Sequence, residues 1–158
     1  CRYPRVVAST GKAQEADALL STVETKLLKS CKLRSAFATT WGGVKRDLER
    51  REEALRLGER AHALTPDDFR PCTLLGAIHM ENGDHDVGRD WYRKAVERGA
   101  TVDDVDQDLR RIYFRADPER QAALRAFLLA DDPVRYAWAG KAARSAIRGA
   151  ITESANEQ

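Results

Sequence analysis

The sequence lacks long hydrophobic runs, paired cysteines and a large excess of either positive or negative charge. No stretch approaches the ~18 consecutive apolar residues of a transmembrane helix, which excludes a membrane-spanning chain. The three cysteines (Cys1, Cys31 and Cys72) are an odd number without a paired short spacing. They are therefore interpreted as reduced thiols of a cytosolic protein rather than a disulfide framework. The 27 Lys and Arg residues nearly balance 25 Asp and Glu residues, so net charge gives no strong attraction to nucleic acid or anionic lipid.

Proline and β-branched residues are also sparse, while alanine and arginine are abundant, a composition that favours helix. The Ala and Arg bias is typical of a GC-rich bacterial genome. No segment alternates with period two, so the sequence predicts an all-α chain. Cys1–Thr10 is expected to be irregular. The predicted helices cover 12–30, 33–46, 49–64, 69–81, 84–98, 103–115, 118–130 and 134–139, and a short amphipathic helix precedes a polar end within 140–158.

Turn and capping residues separate these helices. Asp68 and Asp117 stand where N-caps are expected, and Pro118 fits the first helical turn. Gly83 suits the left-handed position that ends a helix. Helices joined by such short connections predict antiparallel pairs.

A 34-residue self-similarity organises the middle of the chain. The clearest copy contains Leu75, Gly76, His79, Gly88, Tyr92, Ala95 and Ala100, and the preceding copy contains Trp41, Gly42, Lys45, Ala54, Gly58, Ala61 and Pro66. The following copy is looser and has Arg110 where glycine is expected. This pattern is similar to the tetratricopeptide repeat, whose small residues let two helices approach closely. A Sel1-like repeat is the second resemblance, carried by Trp91 through Ala95, but that repeat has a longer turn than 82–84 provides.

The tetratricopeptide resemblance implies an α-α superhelix, a solenoid of antiparallel helix pairs that bury their apolar faces by stacking. We expect a helical repeat domain over 1–139, with the best repeats at 33–100 and degenerate ones at 12–30 and 103–134. Residues 140–158 are expected to form a C-terminal capping helix and a polar tail.

Few residues suggest catalysis or metal binding. Cys72 and His79 lie seven apart on one helix, but they stand at packing positions of the repeat, so core filling is the favoured interpretation. The acidic cluster at Asp103, Asp104, Asp106 and Asp108 lacks the glycine-centred spacing of a calcium loop and fits helix N-terminal stabilisation. Gly11-Lys12 lacks the rest of a phosphate-loop motif. We therefore expect no catalytic residue, no metal and no cofactor.

The resemblance also implies a concave groove lined by the first helix of each pair. The groove candidates combine apolar anchors with arginines that could meet a ligand carboxylate. They are Arg46, Thr73, Ala77, Met80, Glu81, Gln107, Arg111, Phe114 and Arg115. The known carboxylate-clamp version of the repeat uses Lys and Asn at particular groove positions. That pattern is absent here, because Thr39, Gly43 and Thr73 do not match it.

The sequence thus predicts a non-catalytic, cytoplasmic, bacterial interaction or scaffold module that binds a protein segment or a neighbouring domain. An alternative is a regulatory or sensor domain of an enzyme whose catalytic domain lies outside this chain. Because the first residue is Cys1 rather than Met, we interpret the chain as a piece of a larger protein. The arginine pairs at 50–51 and 110–111 alternate with acidic residues, which disfavours nucleic-acid binding.

Overall fold

The computed structural model describes the backbone of residues 5–156 and the side-chain surroundings of residues 11–141, 143–145, 148, 149, 151 and 152. Within that backbone there is no strand, so the all-α prediction is confirmed. The described helices are α1 (Arg5–Ser21), α2 (Cys31–Asp47), α3 (Arg51–Leu64), α4 (Phe69–Asn82), α5 (His85–Glu97), α6 (Val102–Arg115), α7 (Pro118–Asp131) and α8 (Ala137–Asn156). None of the described helices combines the length and the apolarity needed to cross a bilayer.

Both ends of the chain differ from the expected helices. Helix α1 begins at Arg5, so the expectation of an irregular segment is wrong for residues 5–10, while residues 1–4 lie outside the described part. A 3-10 turn at Thr25–Leu27, between extended residues Glu24 and Leu28, replaces the last turns predicted for this helix. At the other end, α8 is one helix of 20 residues rather than two short ones. Gly140 and Gly149 weaken a helix by about 1 kcal/mol each but do not end it.

The predicted helix boundaries in the middle of the chain are confirmed. The Asp68 side chain accepts a hydrogen bond from the backbone N–H of Arg70 (2.9 Å), and Asp117 caps α7 through the N–H of Arg120 (2.9 Å). Gly83 ends α4 with φ of 89°, the left-handed conformation that glycine adopts without strain.

Helices α2 and α3 form an antiparallel pair. Near the start of α2, the Ser35 hydroxyl donates to the carbonyl of Ala61 near the end of α3 (2.9 Å). At the opposite end of α2, the Lys45 ammonium lies 2.9 Å from the Glu53 carboxylate in the first turn of α3. Between these contacts Gly42 faces α3, where an added Cβ would lie 3.5 Å from the Ala54 carbonyl.

Helices α4 and α5 cross more closely still. A Cβ added at Gly88 would lie 3.0 Å from the carbonyl oxygen of Gly76 and 3.0 Å from the backbone nitrogen of Met80. The ring of Tyr92 covers Gly76 at the same crossing. These contact positions follow Gly42 and Ala54 of the preceding pair by 34 residues, so the sequence period coincides with a recurring helix crossing. Leu74 and Ile78 of α4 join the two pairs by packing on Ala54 of α3.

The chain divides into two compact units, 1–110 and 111–158, and the division falls within α6. The boundary that the sequence predicted, between residues 139 and 140, differs from the observed one between residues 110 and 111. In the second unit, Tyr113, Leu124 and Leu128 are buried. The Gln121 side chain donates to the Tyr113 carbonyl (2.9 Å), and Arg125 donates to the Tyr113 hydroxyl (3.2 Å), which ties the end of α6 to α7.

Candidate functional site

Three helices of the first unit bring charged side chains together on one face. Arg46 of α2 donates from Nε to the Glu81 carboxylate of α4 (2.9 Å), and its Nη2 lies 2.8 Å from the same oxygen. The same Nη2 is 3.7 Å from Asp108 of α6. The three side chains are less than one-fifth exposed. The Arg46 guanidinium therefore links α2, α4 and α6 from within the protein.

Tyr92 of α5 extends this charged cluster. Its hydroxyl donates a 2.5 Å hydrogen bond to Asp108, and the side chain is buried. Burial and the neighbouring Asp108 carboxylate raise the pKa of Tyr92 well above its ordinary value. Burial acts to lower the pKa of Arg46, but the hydrogen bond and charge of Glu81 outweigh it, so that pKa is raised. Arg46 stays charged and Tyr92 stays neutral, which suits a fixed structural network.

The groove candidates of the first unit occupy different environments. Ala77 and Met80 were expected to line the groove, but they are core residues: Ala77 is fully buried and Met80 is 4% exposed, packed against Gly88. The Thr73 hydroxyl donates to the carbonyl of Phe69 within its own helix (3.1 Å). Gln107 is exposed. The correction has a simple cause, since the close α4–α5 crossing draws the middle of α4 inside.

The groove candidates of the second unit form a surface patch on the last turn of α6. Phe114 is 62% exposed, and Arg111 and Arg115 are exposed on either side of it in sequence. The Phe114 ring meets the Tyr113 ring edge to face at 5.3 Å and lies 6.3 Å from the Trp138 ring. We call Arg111, Phe114 and Arg115 the α6 patch.

Cys72 and His62 lie in contact, a pairing that the sequence did not predict. The Cys72 sulfur lies 3.7 Å from His62 Nδ1, and the His62 ring packs edge-on against Trp91 at 5.0 Å. Burial raises the pKa of the Cys72 thiol and lowers the pKa of His62, so both neutral forms are favoured. His79, which the sequence analysis assigned to core packing together with Cys72, lies 3.4 Å from the Asp84 carboxylate. Among the described residues, no three His, Cys, Asp or Glu side chains are grouped as a metal ion would require.

Sequence reasoning also missed a charged cluster that joins α1 to α2. The Asp17 carboxylate accepts from the Trp41 indole (2.7 Å), lies 2.9 Å from the Lys45 ammonium and lies 3.3 Å from Arg50. The hydrogen bonds from Lys45 and Trp41 lower the pKa of Asp17. Lys45 is only 7% exposed, with Glu53 as its second partner. A lysine at a buried repeat position was the available signal that a carboxylate must lie nearby.

The chain matches no protein-family model, and no curated protein or solved structure is significantly similar to it.

Proposed function

We propose that this chain is a non-catalytic helical module that binds a protein segment through the α6 patch. Its stacked antiparallel pairs, with helix crossings repeated at 34 residues, support a tetratricopeptide-like architecture. A bacterial cytoplasmic setting is part of the same proposal and is based on the Ala and Arg bias and the unpaired cysteines.

The exposure of Phe114 is the observation that carries this proposal. Phe114 is a large aromatic residue that is 62% exposed, so it forgoes burial that would stabilise the free protein. The ring is also held in place, since Tyr113 and Trp138 contact it from the same unit. A fixed and exposed aromatic side chain of this kind loses little conformational entropy when a partner covers it.

The flanking arginines supply the polar part of the site. Arg111 and Arg115 lie four residues apart on α6, so they project from one side of the helix. Neither forms an ion pair with any side chain that the structure describes. Each guanidinium can therefore bind a carboxylate of a partner through charge-assisted hydrogen bonds. The patch fits a peptide with an apolar residue next to an acidic one.

A random-peptide display selection tests the proposal with the whole chain as target. Selected peptides are labelled with fluorescein, and their affinity is measured by fluorescence polarisation at low and high salt. The test variants are Phe114→Ser and the double variant Arg111→Ala with Arg115→Ala. Arg144→Ala with Arg148→Ala is the matched control, because these arginines are also exposed and four apart, on α8.

We expect the selected peptides to contain acidic residues. They should bind the double variant at least about fivefold more weakly, because a hydrogen bond to a charged group contributes about 1.5–3 kcal/mol. Salt should weaken binding to the wild type more than to the double variant. The control variant should bind as the wild type does. Failure to enrich any peptide, or equal affinity of all variants, would reject the proposal.

A further inference from the structure

A second surface feature lies on the other side of α2 from Arg46. It is a small pocket between the 3-10 turn, α2 and α3, lined by Thr25, Arg34, Phe37, Ala38, Trp41, Leu57 and Arg60. Phe37 and Arg46 are nine residues apart, which is about two and a half helical turns, so they face opposite directions. The enclosed part of the pocket measures about 20 Å³, room for about one water molecule, and the rest is open to solvent. A ligand side chain would therefore lie across this shallow depression rather than fill it.

The wall of the pocket is aromatic and held in a fixed position. The Phe37 and Trp41 rings lie 5.6 Å apart at a tilt of 59°. Trp41 is oriented by its hydrogen bond to Asp17 on α1. Leu33 lies one turn before Phe37 and is 55% exposed, which continues the apolar surface beyond the pocket. An apolar side chain that lies against this surface would meet side chains already held in position.

Two arginines give the pocket a positive charge. Neither Arg34 nor Arg60 forms an ion pair within the part of the chain that the structure describes. Nε of Arg34 is shielded from solvent and has no hydrogen-bond partner there. A shielded donor without a partner is unfavourable. A hydrogen-bond acceptor on a ligand would therefore satisfy Nε of Arg34, for which the protein itself supplies no acceptor. Asp17, the carboxylate next to Trp41, is occupied by Lys45 and Arg50.

We infer that this pocket binds an acidic peptide segment. An apolar side chain of the segment packs on Phe37, Trp41 and Leu57, and a neighbouring carboxylate binds Arg34 and Arg60. Charge complementarity selects this occupant, because an uncharged or basic segment would leave two guanidinium groups without partners. The site is independent of the α6 patch, since none of its residues belongs to that patch.

A titration monitored by ¹H–¹⁵N NMR tests the inference on the full chain. The probe is a hexapeptide in which a Phe-Leu pair is flanked by two acidic residues on each side, and the control peptide carries Gln in place of every acidic residue. The indole N–H of Trp41 and the Nε–H of Arg34 report directly on the pocket. The variant is Arg34→Gln with Arg60→Gln. The matched control is Arg56→Gln, an exposed arginine on α3 that pairs with Glu52.

The acidic peptide should shift both reporter signals, with saturation at or below about 1 mM. The double variant should bind about tenfold more weakly or worse, Arg56→Gln should bind as the wild type does, and the Gln peptide should bind weakly to all of them. Unchanged reporter signals, or equal binding by the double variant, would overturn the inference. A dimer seen by sedimentation and abolished by the double variant would assign the pocket to a second copy and also overturn it. Loss of binding at the α6 patch leaves these reporters unaffected, so the two proposals fail separately.

Discussion

The hydroxyl of Tyr92 donates a 2.5 Å hydrogen bond to the carboxylate of Asp108, and Asp108 lies 3.7 Å from the Arg46 guanidinium. Through these contacts one phenol on α5 and one carboxylate on α6 connect the α4–α5 pair with α2. The ring of the same Tyr92 covers Gly76 at the closest helix crossing. Packing and polar contacts at this crossing therefore depend on one side chain.

Removing the hydroxyl with Tyr92→Phe should lower the free energy of unfolding by about 1.5–3 kcal/mol at neutral pH, the usual contribution of a hydrogen bond to a charged group. The raised pKa of Tyr92 adds a pH dependence. The neutral phenol stabilises the folded state fully below its ordinary pKa of about 10, and this contribution is lost as the pH rises above it. Urea unfolding between about pH 8 and pH 11 should show a steeper loss for the wild type than for Tyr92→Phe. If the free energies of unfolding of the two proteins change in parallel with pH, ionisation of Tyr92 does not contribute to the pH dependence of stability.

Gly88→Ala should destabilise the protein by about 1–3 kcal/mol, because its Cβ would lie 3.0 Å from two backbone atoms of α4 that cannot rotate away. Gly43→Ala is the control, since nothing lies within 4 Å of the added Cβ. That change should stabilise the protein by about 0.5–1 kcal/mol through helix propensity. Thermal melting of both variants measures the contrast. A Gly88→Ala protein as stable as Gly43→Ala would contradict the close crossing.

Glu49 is a non-glycine residue with φ of 60°, just after α2. The turn there is closed by hydrogen bonds from the N–H of Glu49 to Arg46 and from the N–H of Arg50 to Lys45, both 2.9 Å. Left-handed backbone costs an L residue about 1–2 kcal/mol. Glu49→Gly should therefore raise the free energy of unfolding by about 0.5–1 kcal/mol, after the entropic cost of glycine.

The control for this prediction is Glu49→Ala, which removes the same carboxylate and keeps the Cβ. It should give no such gain in chemical denaturation. Equal stabilisation by both substitutions would mean that the charge of Glu49, and not its backbone conformation, is unfavourable.

The sequence was sufficient to predict the helices from α2 to α7 because each has a local start or stop signal. Asp68, Gly83 and Pro118 act through their own backbone within one turn, so neighbouring residues alone identify them. The ends of α1 and α8 have no such signals. Val134 illustrates the difficulty, since Asp132-Pro133 predicted a helix start, but Asp132 instead accepts hydrogen bonds from the N–H groups of Val134 and Arg135 in a turn before α8.

The site was harder to predict because it depends on contacts between distant residues. Helical phase alone placed Met80 in a groove, but phase cannot show that Gly88 draws that part of α4 inside. The pairing of Arg46 with Glu81 joins residues 35 apart, and a 34-residue repeat pattern alone does not reveal it. Phe114 and its flanking arginines remain candidates because their exposure follows from the local helix.

The cluster around Asp17 predicts how the protein responds to acid. Because hydrogen bonds from Lys45 and Trp41 lower the pKa of Asp17, its stabilising contribution is complete above the ordinary value of about 3.9 and is lost as the pH falls below it. Asp17→Asn keeps the shape but removes the charge that faces buried Lys45, and should cost about 1–3 kcal/mol at pH 7. Between about pH 4 and pH 2 the wild type should lose more stability than this variant, with α1 amides exchanging hydrogen faster than those of α4. Glu15→Gln, an exposed change on the same helix, should leave both measurements as in the wild type. If Asp17→Asn instead shows the wild-type acid profile and unchanged α1 exchange, the carboxylate does not hold α1 to α2.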